Sequence, residues 1–242
     1  MFAFRLTASL LFVLCLPVAF LTSTIRLLAN EPRVYSYAID HYDAAAVTGI
    51  QRPELIRGGG ELRAYFNNGD DRVDIRVKQN DLDAPLFNER ETAHLKEVKA
   101  RFRAQNIAQE FSVLYIIAYI AVVVLWAGEV TVRSLAVKTM IGCAITLAVV
   151  GAVGAFSLGG FDQAWFKFHE LIFSSDFWKL NPRTDHLIQM FPPAFWQFIV
   201  STVGLLTAAE AGLLLVFSGL YLGVTSRQPA PVPQQIAASV TG

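Results

Sequence analysis

The chain has 242 residues, 54% hydrophobic and 12% aromatic against 17% charged, too apolar for a soluble domain that covers its surface with charge. Lys and Arg number 20, as do Asp and Glu, so no net field draws the protein to nucleic acid or to an acidic ligand. Cys15 and Cys143 lie inside apolar runs, where a thiol behaves as a small hydrophobe, so packing is expected of them rather than a disulfide or thiol chemistry.

Four runs are long enough to cross a bilayer, which takes about 20 helical residues: the segment 1–28, apolar from Leu6 to Leu28, then Ile107–Ala127, Thr139–Leu158 and Phe195–Val224. The first is too long for a cleaved signal peptide and lacks a small-x-small cleavage site, so it reads as a permanent helix. Only residues 128–138 separate the second and third runs, which predicts a tight antiparallel hairpin. Four crossings then put the long insertion 29–106 and the shorter one 159–194 on the same face, together with His41, His94, His169 and His186. The other face keeps the hairpin connection and a Pro- and Gln-rich tail over 225–242, which reads as disordered. Basic residues do not decide which face is outside, because the long insertion exceeds the roughly 60 residues over which they set topology.

Within the first insertion, Glu54–Asn68 reads as an amphipathic helix through Leu55, Leu62, Tyr65 and Phe66, weakened by Gly58, Gly59 and Gly60. Val73-Asp74-Ile75-Arg76-Val77 alternates strictly and predicts a short strand. From Glu89 the pattern is helical and runs into the second span, which would carry His94 rigidly about three turns above the hydrocarbon. The expected architecture is an all-α membrane protein of four transmembrane helices with a small mixed α/β cap. Gly142, Gly151 and Gly154 in the third span are the small residues that let helices approach in lipid. Glu210 stands in the middle of the fourth span. Such an acid is either functional or a protonated group bonded to a neighbouring helix, and the second reading is preferred because no cationic partner stands in the other spans.

The chemistry is expected from His94 and His169, since an imidazole titrating near 6.5 can take or give a proton at neutral pH. Glu91 or Glu97, one turn to either side of His94, would fix its tautomer. His169 is followed by Glu170, Asp176, Trp178, Asp185 and His186 in what reads as one compact loop. No G-x-S-x-G or H-E-x-x-H motif occurs and no metal-ligand spacing is recognisable, so no cofactor is expected, and a metal held by His169-Glu170 with His94 and an aspartate is the lesser alternative. Tyr35, Tyr37, Trp165, Trp178 and Trp196 fall where interfacial anchors belong. Two other classes compete: a proton-coupled transporter centred on Glu210, and a non-catalytic receptor or scaffold that needs only the cap.

Two stretches carry a family likeness. Glu91-x-x-His94-Leu95-x-Glu97-Val98-Lys99 is one. Phe168-His169-x-Leu171-Ile172-Phe173, followed by Asp176-x-Trp178, Pro182-x-Thr184-Asp185-x-Leu187-Ile188 and Phe191-Pro192, is the other. With Tyr35-x-Tyr37, Thr48-Gly49-Ile50 and the order of spans, they resemble the bacterial lipoprotein intramolecular transacylases, the Lit family, over Arg26–Val224. Leu95 and Glu97 depart from the family's Met and Asp. The resemblance implies a multi-pass enzyme of the bacterial cytoplasmic membrane whose polar insertions face outward. It implies that the sn-2 acyl chain of a diacylglyceryl lipoprotein moves to the α-amine of the N-terminal cysteine, with membrane lipid as surroundings. It also implies His94 and His169 as the catalytic pair. His94 is assigned as base because a continuous helix carries it, and His169 as acid. Asn88 and Arg90 are the candidate oxyanion donors, with Glu91 and Asp185 as candidate orienting groups. Nucleophile and ester belong to one substrate, so no enzyme nucleophile is required.

Overall fold

The computed structural model describes residues 2–79, 82–126, 128–158 and 160–226. The elements run α1 (Phe2–Asn30), α2 (Pro32–His41), α3 (Ala44–Thr48), α4 (Arg52–Asn67), β1 (Arg76–Gln79), β2 (Leu82–Pro85), α5 (Glu89–Trp126), α6 (Gly128–Leu158), α7 (Phe161–Ile172), α8 (His186–Met190) and α9 (Pro193–Ser226). Among them α1, α5, α6 and α9 are long and apolar enough to span a membrane. Their outward faces carry Leu114, Leu125, Leu205 and Leu213, all more than 60% exposed, as expected where lipid tails rather than water are the solvent. The tail from Arg227 lies outside the described residues.

Helix α1 packs along α5 and also reaches α6 and α9, and α6 packs along α9. Phe12, Val13 and Leu16 of α1 are buried in this bundle, with Tyr115 and Tyr119 of α5 and Leu135 and Ile145 of α6 against them. Cys15 and Cys143 are buried there and unpaired. Of the three glycines expected at a helix contact, only Gly142 makes one: a Cβ there would stand 2.5 Å from Leu16 Cδ1 and 3.1 Å from the Val13 carbonyl oxygen, whereas Gly151 and Gly154 face open space. Gly142→Val should therefore push α1 off α6 and cost about 1–3 kcal/mol, while Gly151→Ala should not destabilise. Thermal unfolding of both variants in one detergent measures the difference.

Residues 128–138, expected as a connection, belong to helix α6. Apart from Gly128 at its start the segment contains no glycine and no proline to stop a helix. Lys138 Nζ donates to Tyr119 Oη at 2.8 Å, so the chain reverses between those residues, as the hairpin requires.

The cap has its own apolar core. Ile39, Ile50, Leu55, Leu62, Val77 and Leu86 come from the elements before α5, and Leu95 of α5, Met190 of α8 and Phe195 of α9 belong to the same cluster. The three glycines of α4 are explained in part by this packing. A Cβ on Gly58 would lie 2.7 Å from Leu86 Cδ2 and one on Gly59 3.3 Å from Tyr35 Cβ, so helix propensity of about 1 kcal/mol per glycine is given up for close approach. Val73, Ile75 and Val77 are buried and Asp74 and Arg76 exposed, the predicted alternation. The ladder itself pairs Arg76 with Pro85 through Gln79 with Leu82, antiparallel. Its second strand has no apolar alternation to announce it.

Candidate active site

The start of α5 is set by a reciprocal cap. Asn88 Oδ1 accepts the Glu91 backbone N–H at 3.0 Å, and Glu91 Oε2 accepts that of Asn88 at 2.7 Å, satisfying two donors that a helix N-terminus otherwise leaves bare. Glu91 is 1% exposed and its other oxygen accepts the Leu187 N–H at 2.6 Å. Asn88 Nδ2 donates to Asp185 Oδ1 at 3.0 Å, and Asp185 also accepts from the Asn181 N–H at 2.7 Å and from Thr184 Oγ1 at 3.1 Å. Burial pushes the Glu91 carboxyl above its usual range, with the two backbone donors opposing. The result is a polar knot that locks the first turn of α5 to the segment leading into α8. His94 sits one turn further along α5.

His169 reaches the same place from α7. It lies in the last turn of that helix, not in a loop, and the helix buries Phe161 and His169 while leaving Leu171 84% exposed. The rings of His94 and His169 have centroids 6.1 Å apart at 37°, and the residues are only 7% and 8% exposed. Phe173 touches both, at 5.0 and 5.5 Å. Trp165 stands 4.7 Å and Trp178 5.0 Å from His169, and Trp196 of α9 stacks on Trp165 at 5.2 Å. Trp165, Trp178 and Trp196, expected as anchors, thus build the wall of the pair. Trp165 stands four residues before His169, a helical spacing that identifies it once α7 is recognised, and Phe173 is the residue just past the end of α7.

The tautomers follow from the hydrogen bonds. His169 Nδ1 lies 2.8 Å from the Trp165 carbonyl oxygen, which can only accept, so Nδ1 carries the proton and Nε2 keeps its lone pair. His94 Nδ1 is buried with no hydrogen-bond partner among the described residues. An orphaned N–H is rarer than an orphaned acceptor, so its proton belongs on Nε2. The expected carboxylate partner of His94 is absent: Glu91 is committed to backbone, and Glu97 accepts Ser175 Oγ at 2.8 Å. That bond instead ties the segment carrying Phe173 and Trp178 to α5. Arg90 is exposed and donates to the Lys179 carbonyl at 3.1 Å. His186 Nδ1 meets the Leu86 carbonyl oxygen at 2.7 Å, and His41 stacks on Tyr37 at 4.8 Å, so both of those rings support the cap.

Burial, and then the neighbouring His169 ring, lowers His94 from 6.5 to about 4. Burial also lowers His169, with the bond to Trp165 opposing. Both rings are therefore neutral at pH 7. A group that binds protons less readily folded than unfolded adds stability above its unfolded pKa, and this is lost as pH falls through the window down to the folded value. Unfolding in detergent at successive pH should thus show stability falling between 6.5 and about 4, with His94 contributing about 3 kcal/mol. His94→Leu should flatten that decline.

In the fourth span, Glu210 is exposed on the bundle surface. Thr24 Oγ1 lies 3.5 Å from each of its oxygens and 3.4 Å from Thr207 Oγ1. Thr24 belongs to α1, so Glu210 contacts a neighbouring helix, which is the structural part of the plainer reading.

Among solved structures, the in meso structure of the membrane integral lipoprotein intramolecular transacylase Lit from Bacillus cereus superposes with a TM-score of 0.78 at 15% identity, covering 94% of this chain and 99% of that one. Two further structures of that protein, with a histidine replaced by arginine or by alanine, give TM-scores of 0.71 and 0.72 at the same 15% identity. They cover 91% of this chain, and 92% and 94% of their own. No curated protein sequence matches significantly. These likenesses establish the fold. The model of the family Lipoprotein intramolecular transacylase Lit matches residues 10–196, well over half of the chain, and the protein belongs to that family.

Proposed function

We propose that the protein moves the sn-2 acyl chain of a diacylglyceryl lipoprotein onto the α-amine of its N-terminal cysteine, with His94 and His169 as the catalytic groups. The observation that carries this is the pair itself: two imidazoles from separate insertions, both buried and neutral, with centroids 6.1 Å apart. The α-amine has a pKa near 7.7–8, so a fraction of it is free base at neutral pH, and a site that excludes charge selects that fraction. Its nitrogen attacks the ester carbonyl and becomes acidic as the C–N bond forms. His169 Nε2 takes that proton. When the C–O bond breaks, the same imidazolium returns the proton to the departing glyceryl oxygen, so the amide and the free hydroxyl form without net proton uptake.

This exchanges the roles expected from the sequence. His94 is the more strongly depressed of the two and lacks a partner that sets it as a base, whereas its Nε2–H suits the oxyanion that develops on the carbonyl. Asn88, Glu91 and Asp185, bonded to one another, act as the frame that aims α5. The exposed Phe166, Phe168, Leu171 and Phe177 around His169 suit a lipid surface rather than water and support delivery of the substrate from the membrane. On this reading the cap and α7, which four spans put on one side, face outward from the bacterial cytoplasmic membrane.

The test is a synthetic diacylglyceryl lipopeptide incubated with the protein in bilayer nanodiscs. Intramolecular transfer leaves the mass unchanged, so the expected result is a precursor of identical mass whose tandem spectrum gains an N-acyl cysteine fragment. An N-acyl product of higher mass, drawn from a phospholipid donor, or no N-acyl fragment at all, would overturn the proposal.

A further inference from the structure

A groove of about 300 Å³ opens between α2 and α4, lined by Pro32, Arg33, Tyr35, Ser36, Ile56, Gly60 and Arg63. None of these residues is part of the histidine pair or its wall. We infer that this groove binds the phosphate group of a membrane phospholipid.

Position comes first. Only Glu31 separates the end of α1 at Asn30 from the start of α2 at Pro32. Tyr35 Oη donates to the Ala29 carbonyl at 2.8 Å and Arg63 Nη1 to the Asn30 carbonyl at 3.3 Å, so the groove is fastened to the point where the first span leaves the hydrocarbon. Leu27, 63% exposed, lies just below on α1. Lipid phosphates occupy this level of a bilayer, and the apolar faces of Pro32, Tyr35 and Ile56 match the glycerol and first methylenes beneath them.

Charge comes second. Other arginines of the cap are matched: Arg52 grips Asp40 through two bonds of 2.6 and 2.8 Å, Arg57 holds Glu54 and Glu61, and Arg76 holds Asp83 at 2.6 Å. The two in the groove differ. Arg63 uses Nη1 on the Asn30 carbonyl, and its buried Nε has no hydrogen-bond partner among the described residues. Arg33, its side chain 93% exposed, lies 3.8 Å from Glu31, whose carboxylate already caps α2 through the Arg33 backbone N–H at 3.2 Å. Arg33 and Arg63 line the same groove, and their uncommitted guanidinium N–H groups suit phosphate oxygens, while the Ser36 hydroxyl already donates to the Arg33 carbonyl at 3.2 Å. Gly60 lines the groove and faces open space, since a Cβ there would meet nothing within 4 Å, so a larger side chain at this position can enter the mouth.

The inference does not depend on the transfer chemistry. Full-length protein in a neutral detergent is titrated with phosphatidylglycerol, with diacylglycerol of the same chains, and with inorganic phosphate, and retained ligand is counted by native mass spectrometry. Retention of phosphatidylglycerol should be selective over diacylglycerol, should not be displaced by millimolar inorganic phosphate, and should fall at least tenfold in Arg33→Gln/Arg63→Gln. Gly60→Leu fills the mouth while keeping both arginines, so it should lose retention as well, and it carries the test if the double variant does not fold. Equal retention of diacylglycerol, full displacement by inorganic phosphate, or undiminished retention in Gly60→Leu would each overturn the inference.

Discussion

His169→Ala is expected to slow formation of the N-acyl product by about 10²–10⁴-fold, the usual contribution of a positioned general acid–base group. His94→Ala is expected to cost about 10²–10³-fold, the scale of one lost oxyanion donor. Glutamine separates the two roles, because its amide donates a hydrogen bond but does not shuttle a proton at neutral pH. His94→Gln should recover part of the rate lost in His94→Ala. His169→Gln should recover none. The measurement is the initial rate of the N-acyl fragment in the nanodisc assay, and rescue in the reverse pattern would return the base to His94. Wild-type activity should also fall with acid as the substrate amine is protonated near its pKa of about 7.7–8, well before the His94 ring takes up a proton near 4.

Glu91→Ala should be the most destabilising change in the cap. The carboxylate is 1% exposed and receives the Asn88 and Leu187 N–H groups. Removing it leaves the buried Leu187 N–H without a partner at about 1–3 kcal/mol and uncaps the more exposed Asn88 N–H at about 1 kcal/mol, so a loss of about 2–4 kcal/mol is expected. Glu91→Gln keeps one oxygen and much of the volume, and because burial already raises this carboxyl above its usual range, it should cost less than half as much. Thermal unfolding at pH 7 in a single detergent checks both. A rate loss in Glu91→Gln that exceeds its loss of stability would mark the knot as aiming His94, not merely holding the cap together.

The architecture was legible because membrane spans write themselves in runs of about 20 apolar residues, and parity then put both histidines on one face. The alternation of Val73, Ile75 and Val77 and the helix around Leu55 and Leu62 were legible for the same reason, a period tied to one buried face. Helix α7 was not. It is short, and Asp162, Gln163, Lys167 and Glu170 alternate with aromatics, so the stretch reads as a polar loop with Trp165 and Trp178 scattered through it. The tautomer of His169 was also hidden, since its partner is a backbone carbonyl and any residue supplies one. Glu91 and Glu97 looked like partners for His94 by spacing alone. Spacing says which side chains can meet, and the competing backbone donors at Asn88 and Leu187 and the hydroxyl at Ser175 decided which did.

The apolar cluster under the cap draws Leu95 from α5 and Phe195 from α9. Part of the floor on which the extramembrane portion rests is thus built from the rods that enter the lipid. A fragment cut out as residues 29–106 would lack the Met190 and Phe195 side chains against which it closes, exposing its interior to water and inviting self-association. The soluble-looking portion is a storey of the building and not a detachable roof, and any truncation meant to simplify the protein has to keep its columns.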